Sequence, residues 1–305
     1  MNDKRGKNMA ASVRDRLLAL ARERGEDFQL ILTQYGLERL LYRLSQSGYR
    51  DRFILKGAML FALWHDQPHR PTRDVDFLAF GDSSEAGLQE IFRELCNVTV
   101  EDDGLTLMAD SVHVEVIRDA TEYGGIRVKL FGDLAGARVP IQADIGFGDA
   151  VTPEPKEIEY PTLLGNPAPH LRAYPRETVV AEKYQALVNL GLANSRMKDF
   201  YDLWVIAREF DFDGANLSEA IRNTFSRRQT PLPEHTPSGL SAEFYEDAQK
   251  NKQWNAFLHR GSRTAKPPSL PEVCDLLERF LLPPTQAAIK EHEFRANWKP
   301  GGPWH

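Results

Sequence analysis

The sequence predicts an α+β protein, in which a helical hairpin precedes a mixed-sheet core and a helical C-terminal part follows it. Apolar residues recur at helical spacing up to Tyr49, short apolar segments separated by turn residues occupy the middle, and helical spacing returns after a proline-rich stretch. The corresponding domains are expected at residues 1–50, 51–165 and 166–305.

The composition excludes several classes of protein. Of 305 residues, 42% are hydrophobic and 27% are charged, which is typical of a globular chain and excludes a disordered or fibrous one. The 38 basic and 44 acidic side chains give a net charge of −6, so any binding of nucleic acid would need a local basic patch. The 2 cysteines are too few for a disulfide framework or a cysteine-based zinc site.

The distribution of apolar residues predicts where the protein works. No apolar stretch of signal-peptide length follows Met1, and no run of about eighteen apolar residues occurs in the sequence. We therefore expect a soluble, cytoplasmic protein that has no membrane partner.

The N-terminal hairpin is expected from two amphipathic segments. The first helix is predicted to begin at Ser12, whose hydroxyl can cap a helix that has apolar residues behind it. The second is predicted at residues 28–44, where leucine, isoleucine and tyrosine recur at helical spacing. Arg39, Arg43 and Arg50 are interpreted as the solvated surface of this hairpin.

Short apolar segments bounded by glycine, proline and aspartate predict the strands of the core. The strands are predicted at residues 53–55, 74–80, 105–108, 112–117, 125–131 and 138–145. Helical segments are predicted at residues 59–64 and 84–97. Prolines recur through residues 153–175, and we interpret this stretch as a linker to the C-terminal helices.

The C-terminal part is expected to be helical because the 3.6-residue periodicity returns there. The helices are predicted at residues 176–190, 196–209, 217–227, 242–259 and 271–281. Residues 295–305 are expected to form a frayed tail.

Asp74 and Asp76 are the first candidates for chemistry. They are two positions apart on a predicted strand, so both carboxylates point to one face while Val75 and Phe77 point into the core. Two adjacent carboxylates suppress each other's ionisation unless a cation lies between them, and Mg²⁺ prefers one or two carboxylates plus phosphate oxygens. A solvated strand face, or an ion pair with Arg73, is the alternative interpretation.

Two further elements favour a metal site. Gly57 and Ala58 lie where a strand turns into a helix, so backbone N–H groups there can bind phosphate. Asp144 lies on a later strand, on the face opposite to its apolar neighbours, and a third carboxylate would complete a two-metal site for phosphoryl or nucleotidyl transfer. Asp74, Asp76 and Asp144 are therefore the predicted ligands of two Mg²⁺ or Mn²⁺ ions.

Lys183 interrupts the apolar stripe of a predicted helix, because its neighbours three and four positions away are all apolar. A lysine in this position needs an anion, which is either a phosphate or a nearby acid that pairs with the snorkelling side chain. Asp199 and Asp202 lie three apart on the next helix and favour a cation or a hydroxyl as partner. Pairing of these acids with Arg196 or Lys198 is the alternative.

Residues 53–58 and 70–76 resemble the signature of the DNA polymerase β-type nucleotidyltransferases. More specifically, the sequence is similar to the AbiEii/AbiGii toxin family, which includes the mycobacterial MenT toxins, over residues 37–207. The family's glycine–serine or glycine–glycine element is Gly57-Ala58 here, which removes a hydroxyl or flexibility next to the phosphates.

The resemblance implies a polymerase β-type nucleotidyltransferase core and the transfer of an NMP unit from an NTP. Residues 177–184 match the family's lysine motif, and residues 196–203 match its arginine/lysine–aspartate motif. Catalytic roles are implied for Asp74, Asp76, Asp144, Lys183 and Asp199. Nucleotide contacts are implied for Lys56, Gly57, Ala58, Arg73, Lys183 and Asp202. Whether Asp199 or Asp202 orients Lys183 or contacts the nucleotide stays open.

The likeness to MenT toxins also implies partners. The acceptor would be RNA, at the 3′ end of tRNA, whose extension blocks aminoacylation, and a cognate antitoxin protein would accompany the toxin. Basic residues of the helical part, among them Arg196 and Arg228, are candidates for RNA contact, with a solvated surface as the alternative. Two other functions stay open: transfer of AMP to a protein hydroxyl, and a nucleotide- or partner-binding module without turnover.

Overall fold

The computed structural model places the chain in two compact units. Its described residues are 2–65, 70–117, 125–261 and 268–305, without the side chains of 2–7, 260 and 261. The first unit comprises Met1–Gly148 and Lys156–Ala173, and the second comprises Asp149–Pro155 and Tyr174–His305. The first unit therefore contains both N-terminal helices as well as the sheet, and the chain enters the second unit briefly before it completes the first.

Helices α1 (Asn2–Arg24) and α2 (Phe28–Ser45) form the N-terminal hairpin. The predicted start of the first helix at Ser12 is wrong, because the helix begins ten residues earlier with residues such as lysine, arginine, methionine and alanine that favour helix. The second helix agrees with its prediction, and its start is fixed by Asp27, whose side chain accepts a hydrogen bond from the backbone N–H of Leu30 at 2.9 Å.

An eight-stranded mixed sheet forms the centre of the first unit. Its strands are β1 (Phe53–Lys56), β2 (Val75–Ala79), β3 (Thr106–Leu107), β4 (His113–Ile117), β5 (Gly125–Leu134), β6 (Ala137–Phe147), β7 (Lys156–Glu159) and β8 (His170–Ala173). Their order is β3-β5-β6-β2-β1-β8-β7, and β4 also pairs with β5. The pairs β2–β6 and β1–β8 are parallel, whereas the other pairs are antiparallel.

Two helices connect the first strands of the sheet. A 3₁₀ turn at Gly57–Leu60 leads from β1 into α3 (Phe61–Trp64), and α4 (Glu85–Cys96) follows β2. The Ser84 side chain caps α4 by accepting a hydrogen bond from the N–H of Gly87 at 3.1 Å.

The proline-rich stretch is not the predicted linker, because it contributes β7 and β8 to the sheet. The prolines Pro161, Pro167 and Pro169 lie between these two strands, so no proline interrupts either hydrogen-bonded ladder. Prolines that flank strands therefore look, in the sequence, like the prolines of a linker.

The arginines of α2 are buried, which corrects their interpretation as a solvated surface. Arg43 is 5% exposed and forms a two-pronged ion pair with Asp103, with Nη1–Oδ2 at 2.8 Å and Nη2–Oδ1 at 3.1 Å. Its Nη2 also donates to the carbonyl oxygen of Leu105 at 2.9 Å. Arg50, the third member of that set, is half-buried and pairs with Glu157.

Glu38 and Arg39 join α2 to the segment between β7 and β8. Arg39 is fully buried, and it donates from Nε to Glu38 at 3.0 Å and from Nη2 to the carbonyl oxygen of Pro167 at 3.0 Å. Glu38 accepts the backbone N–H of Leu163 at 2.7 Å. Burial raises the pKa of Glu38 to about 7, against the lowering effect of the neighbouring Arg39 guanidinium.

The second unit is helical, with one short two-stranded sheet. Its helices are α5 (Arg176–Leu190), α6 (Met197–Glu209), α7 (Gly214–Arg227), α8 (Ala242–Tyr245), α9 (Ala248–Gly261) and α10 (Leu270–Ile289), and its strands are β9 (Phe212–Asp213) and β10 (Asn297–Trp298). Helix α10 begins with a capping box formed by Ser269 and Glu272, and it continues beyond its predicted end through two prolines. The predicted helix at residues 242–259 is divided into α8 and α9.

The predicted frayed tail is ordered by contacts of Trp298 and Gly301. Trp298 is fully buried, donates from its indole nitrogen to the carbonyl oxygen of Ala207 at 2.6 Å, and packs on Phe280 with ring centroids 4.9 Å apart. The backbone N–H of Gly301 reaches the same carbonyl at 3.0 Å. Residues near the chain end thus satisfy a carbonyl in the last turn of α6.

The described residues confirm the mixed α+β fold class, with a mixed sheet and many helices. None of the helices described combines the length and hydropathy that a bilayer crossing needs.

Removing the partner of Arg43 should strongly destabilise the first unit. Asp103→Ala leaves a buried guanidinium without its carboxylate, and we expect a loss of about 3–5 kcal/mol in the free energy of unfolding. The matched control is Asp275→Ala, which removes a pair with Arg279 at 2.7 Å whose side chains are 68% and 54% exposed, and it should cost about 0.5 kcal/mol or less. Urea unfolding measures both, and equal losses would contradict the structure.

The stability of the protein should depend on pH through Glu38. Its folded pKa of about 7 stands above the unfolded value, so its stabilising contribution is present below the unfolded pKa and is lost as pH rises through about 7. Glu38→Gln removes this dependence, and between pH 5 and pH 8 its stability relative to the unmodified protein should rise by about 1–3 kcal/mol. Thermal unfolding at both pH values measures this, with the exposed Glu159→Gln as a control that should show no such rise.

Candidate active site

A row of charged residues crosses the sheet of the first unit. Strand register sets Lys56 opposite Asp76, Asp76 opposite Asp144, Asp144 opposite Arg127, and Arg127 opposite Glu115. Residues directly opposite one another in a sheet point to the same face, so these five side chains share one face. We call them the charged row.

The parallel pairing of β2 with β6 brings Asp76 and Asp144 together. Val75 and Phe77 on β2, and Ala143 and Ile145 on β6, are buried on the other face. Because successive side chains of a strand alternate between its two faces, burial of these apolar neighbours fixes both carboxylates on the opposite face. Asp76 and Asp144 therefore lie on the same face of the sheet.

Asp74 directly precedes β2 and lies near the charged row. Its Oδ1 accepts a hydrogen bond from the Thr72 hydroxyl at 2.7 Å, and its charge contributes to raising the pKa of Arg127. The adjacent Arg73 is exposed.

Arg127 is a member of the row that sequence reasoning missed. Its Nε donates to Asp144 Oδ1 at 2.8 Å and its Nη2 donates to Asp144 Oδ2 at 2.7 Å, and Gln142 Nε2 reaches the same Oδ1 at 3.3 Å. Hydrogen bonding to Asp144 is the main cause that raises the pKa of Arg127, and the charges of Asp144, Glu115 and Asp74 act in the same direction. Asp144 therefore has a cationic partner of its own within the sheet.

Gly57 packs directly against the carboxylate of Asp76. Its φ of +73° is in the left-handed region, and a Cβ at this position would lie 1.9 Å from Asp76 Oδ2. Glycine is therefore required here for its backbone conformation and for the close approach of the carboxylate. The half-buried Ala58 follows in the 3₁₀ turn, so the predicted helix start is a tighter turn than expected.

The donor set of this face fits a hard divalent ion. Asp74 and Asp76 supply carboxylate oxygens, and Mg²⁺ suits one or two carboxylates completed by phosphate oxygens and water. Within the part of the chain that the structure describes, no three or more His, Cys, Asp or Glu side chains are grouped so that they could hold an ion. The three-carboxylate ligand set with two ions accordingly stays a prediction.

The second unit contains a separate lysine cluster, defined here as Lys183, Asp199, Asp202 and Arg196. Lys183 Nζ lies 2.7 Å from Asp199 Oδ1 and 2.8 Å from Asp202 Oδ2, and both aspartates are buried. Arg196 Nε lies 2.6 Å from Asp199 Oδ2. Both aspartates, rather than one of them, hold the ammonium group.

Opposing effects set the pKa of Asp199. Burial by itself raises it, but the charges of Lys183 and Arg196 outweigh burial, so the pKa stands below its ordinary value. The carboxylate is therefore ionised and fixes the position of the lysine.

A second, half-buried network surrounds Arg228 and pairs its guanidinium with acids of the same unit, so its predicted RNA contact stays a prediction. Its Nη2 lies 3.0 Å from Asp149 Oδ1 and 3.3 Å from Glu182 Oε1, and its Nη1 donates to Gln185 Oε1 at 3.0 Å. Glu182 also accepts the Tyr174 hydroxyl at 3.0 Å. Nothing in the local sequence indicates this network, because Asp149 lies 79 positions from Arg228.

The predicted site residues thus fall into two groups. Lys56, Gly57, Ala58, Asp74, Asp76 and Asp144 lie in the first unit, with Arg73 exposed beside them. Lys183, Asp199 and Asp202 lie in the second unit and contact one another. The rings of Phe200, Tyr201, Phe244 and Trp254 are buried and belong to the hydrophobic core of the second unit.

A mixed sheet with aspartates in register on one face and a lysine held by two aspartates agrees with a nucleotidyltransferase. The sequence profile of the family described as "Nucleotidyl transferase AbiEii toxin, Type IV TA system" matches residues 39–279. This span is most of the chain, and the protein belongs to the AbiEii family of nucleotidyltransferase toxins. The resemblance found in the sequence is confirmed, and with it the enzyme class.

Two solved structures are also similar to the chain. A Helicobacter pylori protein provisionally named a nucleotidyltransferase is similar with 16% identity and a TM-score of 0.46, over 87% of this chain and 96% of that one. JHP933 from Helicobacter pylori is similar with 16% identity and a TM-score of 0.45, over 87% and 94%. No curated protein matches the chain. Family membership implies an NTP substrate and a cognate antitoxin.

Replacing Gly57 should damage both the fold and the charged row. Gly57→Ala adds the cost of a left-handed alanine, about 1–2 kcal/mol, and pushes the Asp76 carboxylate out of place. Gly136→Ala is the matched control, because Gly136 has a φ of +79° with nothing within 4 Å of its added Cβ. We expect the control to lose the backbone contribution alone and to keep its transfer activity. Urea unfolding and an NTP-transfer assay measure this, and identical behaviour of the two variants would show that the Asp76 contact is unimportant.

Proposed function

We propose that this protein transfers an NMP unit from an NTP to RNA, at the 3′ end of tRNA, in a reaction that depends on a divalent metal ion. Extension of that end would block aminoacylation and so stop translation. The observation that carries the proposal is the register of β2 and β6, which sets Asp76 directly beside Asp144 next to the Gly57 turn. Family membership supplies the transfer chemistry.

Asp74 and Asp76, with Asp144 as the third carboxylate, are the residues proposed to hold the metal. When bound, Mg²⁺ or Mn²⁺ would gather the triphosphate oxygens and lower the pKa of the attacking hydroxyl. The carboxylates contribute fixed negative charge on one face of the sheet, and the Gly57 turn keeps Asp76 in position by packing against it.

The turn after β1 is proposed to bind the outer phosphates. Backbone N–H groups at Gly57 and Ala58 supply donors at the end of a strand, and Lys56 supplies positive charge next to them in the sequence. The exposed Arg73, adjacent to Asp74, is proposed as a further phosphate contact. Positioning and charge neutralisation are the main contributions that nucleotidyl transfer needs from a protein.

The lysine cluster of the second unit is proposed to neutralise phosphate charge. Lys183 is 14% exposed, and its two aspartate partners hold the positively charged ammonium group in place. Asp199 and Asp202 are therefore proposed as residues that orient Lys183.

The acceptor is proposed from the likeness to MenT toxins and has weaker support in the chain. Lys198 and Arg227 are exposed, and Arg196 is 46% exposed, so these three side chains are accessible to a phosphate backbone. Arg176 instead lies 3.8 Å above the ring centroid of Phe210. Such a reaction would take place in the cytoplasm, where NTPs and tRNA are present.

One experiment tests this function. The purified protein is incubated with Mg²⁺, each labelled NTP in turn and total tRNA, and the products are separated on a denaturing gel. We expect label in tRNA but not in tRNA whose terminal ribose has been oxidised with periodate. Asp76→Asn should lower the rate by a hundredfold or more, on the order of what removing one catalytic electrostatic contact costs, because it removes a proposed ligand charge.

The control variant is Asp110→Asn, an exposed carboxylate of the same unit that should leave the rate unchanged. Lys183→Arg keeps a positive charge between the two aspartates but alters its shape, and it should lower kcat/KM for the NTP. Label that appears in protein instead of tRNA would show that the acceptor is a protein hydroxyl. Full activity of Asp76→Asn would show that Asp76 is not a required metal ligand.

A further inference from the structure

Arg127 and Asp144 form a two-pronged ion pair within the charged row. Two guanidinium nitrogens contact the two oxygens of Asp144, at 2.8 and 2.7 Å. Such a two-pronged pair is both stronger and more directional than a single contact. The side chains are 31% and 18% exposed, so water screens the pair only in part.

We propose that Arg127 is a positioning residue that holds the Asp144 carboxylate in the absence of a divalent ion, so that the ion binds the charged row in competition with the Arg127–Asp144 pair. This inference rests on the metal site of the proposed function and adds a residue that the proposed ligand set does not include.

The charges of the row favour this role. Asp76 and Asp144 are directly opposite on parallel strands, and two carboxylates that close repel each other unless a cation offsets them. Arg127 supplies that cation from the next strand, since it is opposite Asp144 in the β5–β6 register. A divalent ion would offset the same repulsion, so the ion and the guanidinium compete for one carboxylate.

Lys129 shows that position on the strand, rather than positive charge alone, decides this role. It lies two residues from Arg127 on the same strand and the same face, but its ammonium group bonds to Glu115 at 2.6 Å. Lys129→Gln therefore removes one positive charge from this face without releasing Asp144, and it provides a matched control for Arg127→Gln.

The experiment measures binding of Mn²⁺ alone to the full chain by isothermal titration calorimetry, without nucleotide. Arg127→Gln should bind Mn²⁺ about five- to tenfold more tightly than the unmodified protein, since it removes the competing cation. Arg127→Lys, which keeps the charge but not the planar fork, should lie between them. Lys129→Gln should stay within about twofold of the unmodified protein, because screening weakens a more distant charge.

Equal or weaker Mn²⁺ binding by Arg127→Gln would overturn the proposal, because weaker binding would mean that Arg127 prepares Asp144 for the ion. Asp76→Asn distinguishes failure of the metal site from failure of the role proposed for Arg127. If it binds Mn²⁺ as well as the unmodified protein, no ion occupies the charged row, and the metal site and this inference both fail. If it loses binding while Arg127→Gln is unchanged, this inference alone fails.

A second measurement uses the unmodified protein and does not depend on how a variant folds. Nitrogen-15 labelling of arginine gives an Nε–H signal for Arg127, identified by its absence in Arg127→Lys. We expect this signal to shift or broaden as Mg²⁺ is added, and to stay in place in Asp76→Asn. A signal that does not change at a Mg²⁺ concentration that saturates the site would also overturn the proposal.

Discussion

The parallel pairing of β2 with β6 is the constraint on which the candidate site depends. It sets Asp76 beside Asp144, and burial of Val75 and Ala143 on the other face prevents a slip of register. Around this pair the sheet adds Lys56 on one side and Arg127 on the other, so acidic residues are enclosed by basic ones. An acidic pair that would repel in isolation is thus stabilised by the sheet that creates it.

The second unit also balances neighbouring charges, but there a cation lies between two anions. There a single lysine is held between two buried aspartates, and Arg196 adds a further positive charge to one of them. Ionised groups are costly to bury, and each of these is offset by an opposite charge at hydrogen-bonding distance. In both units, therefore, charged side chains are balanced by oppositely charged neighbours.

Local patterns in the sequence predict most helices and strands, but they do not identify side-chain partners that are distant in the sequence. Alternation assigned Asp76 and Asp144 to faces, and periodicity located α2 and α5 almost to the residue. The burial of Arg43 does not follow from the local sequence, because its partner Asp103 lies 60 positions away. Strand order and register, which bring Arg127 to Asp144, follow from the packing of the whole sheet. The prolines between β7 and β8 do not indicate a linker, because proline occurs just outside the ends of strands as well as in linkers.

The contacts of the chain end have a practical consequence for preparing the protein. Asn297 and His305 exchange both backbone hydrogen bonds, at 2.9 and 3.0 Å, and this small loop carries the tryptophan that reaches the last turn of α6. Helix α6 is also the helix that presents Asp199 and Asp202. Removing the terminal residues would therefore weaken the hydrogen bonds that hold the last turn of α6, the helix whose aspartates contact Lys183. An affinity tag is better fused elsewhere.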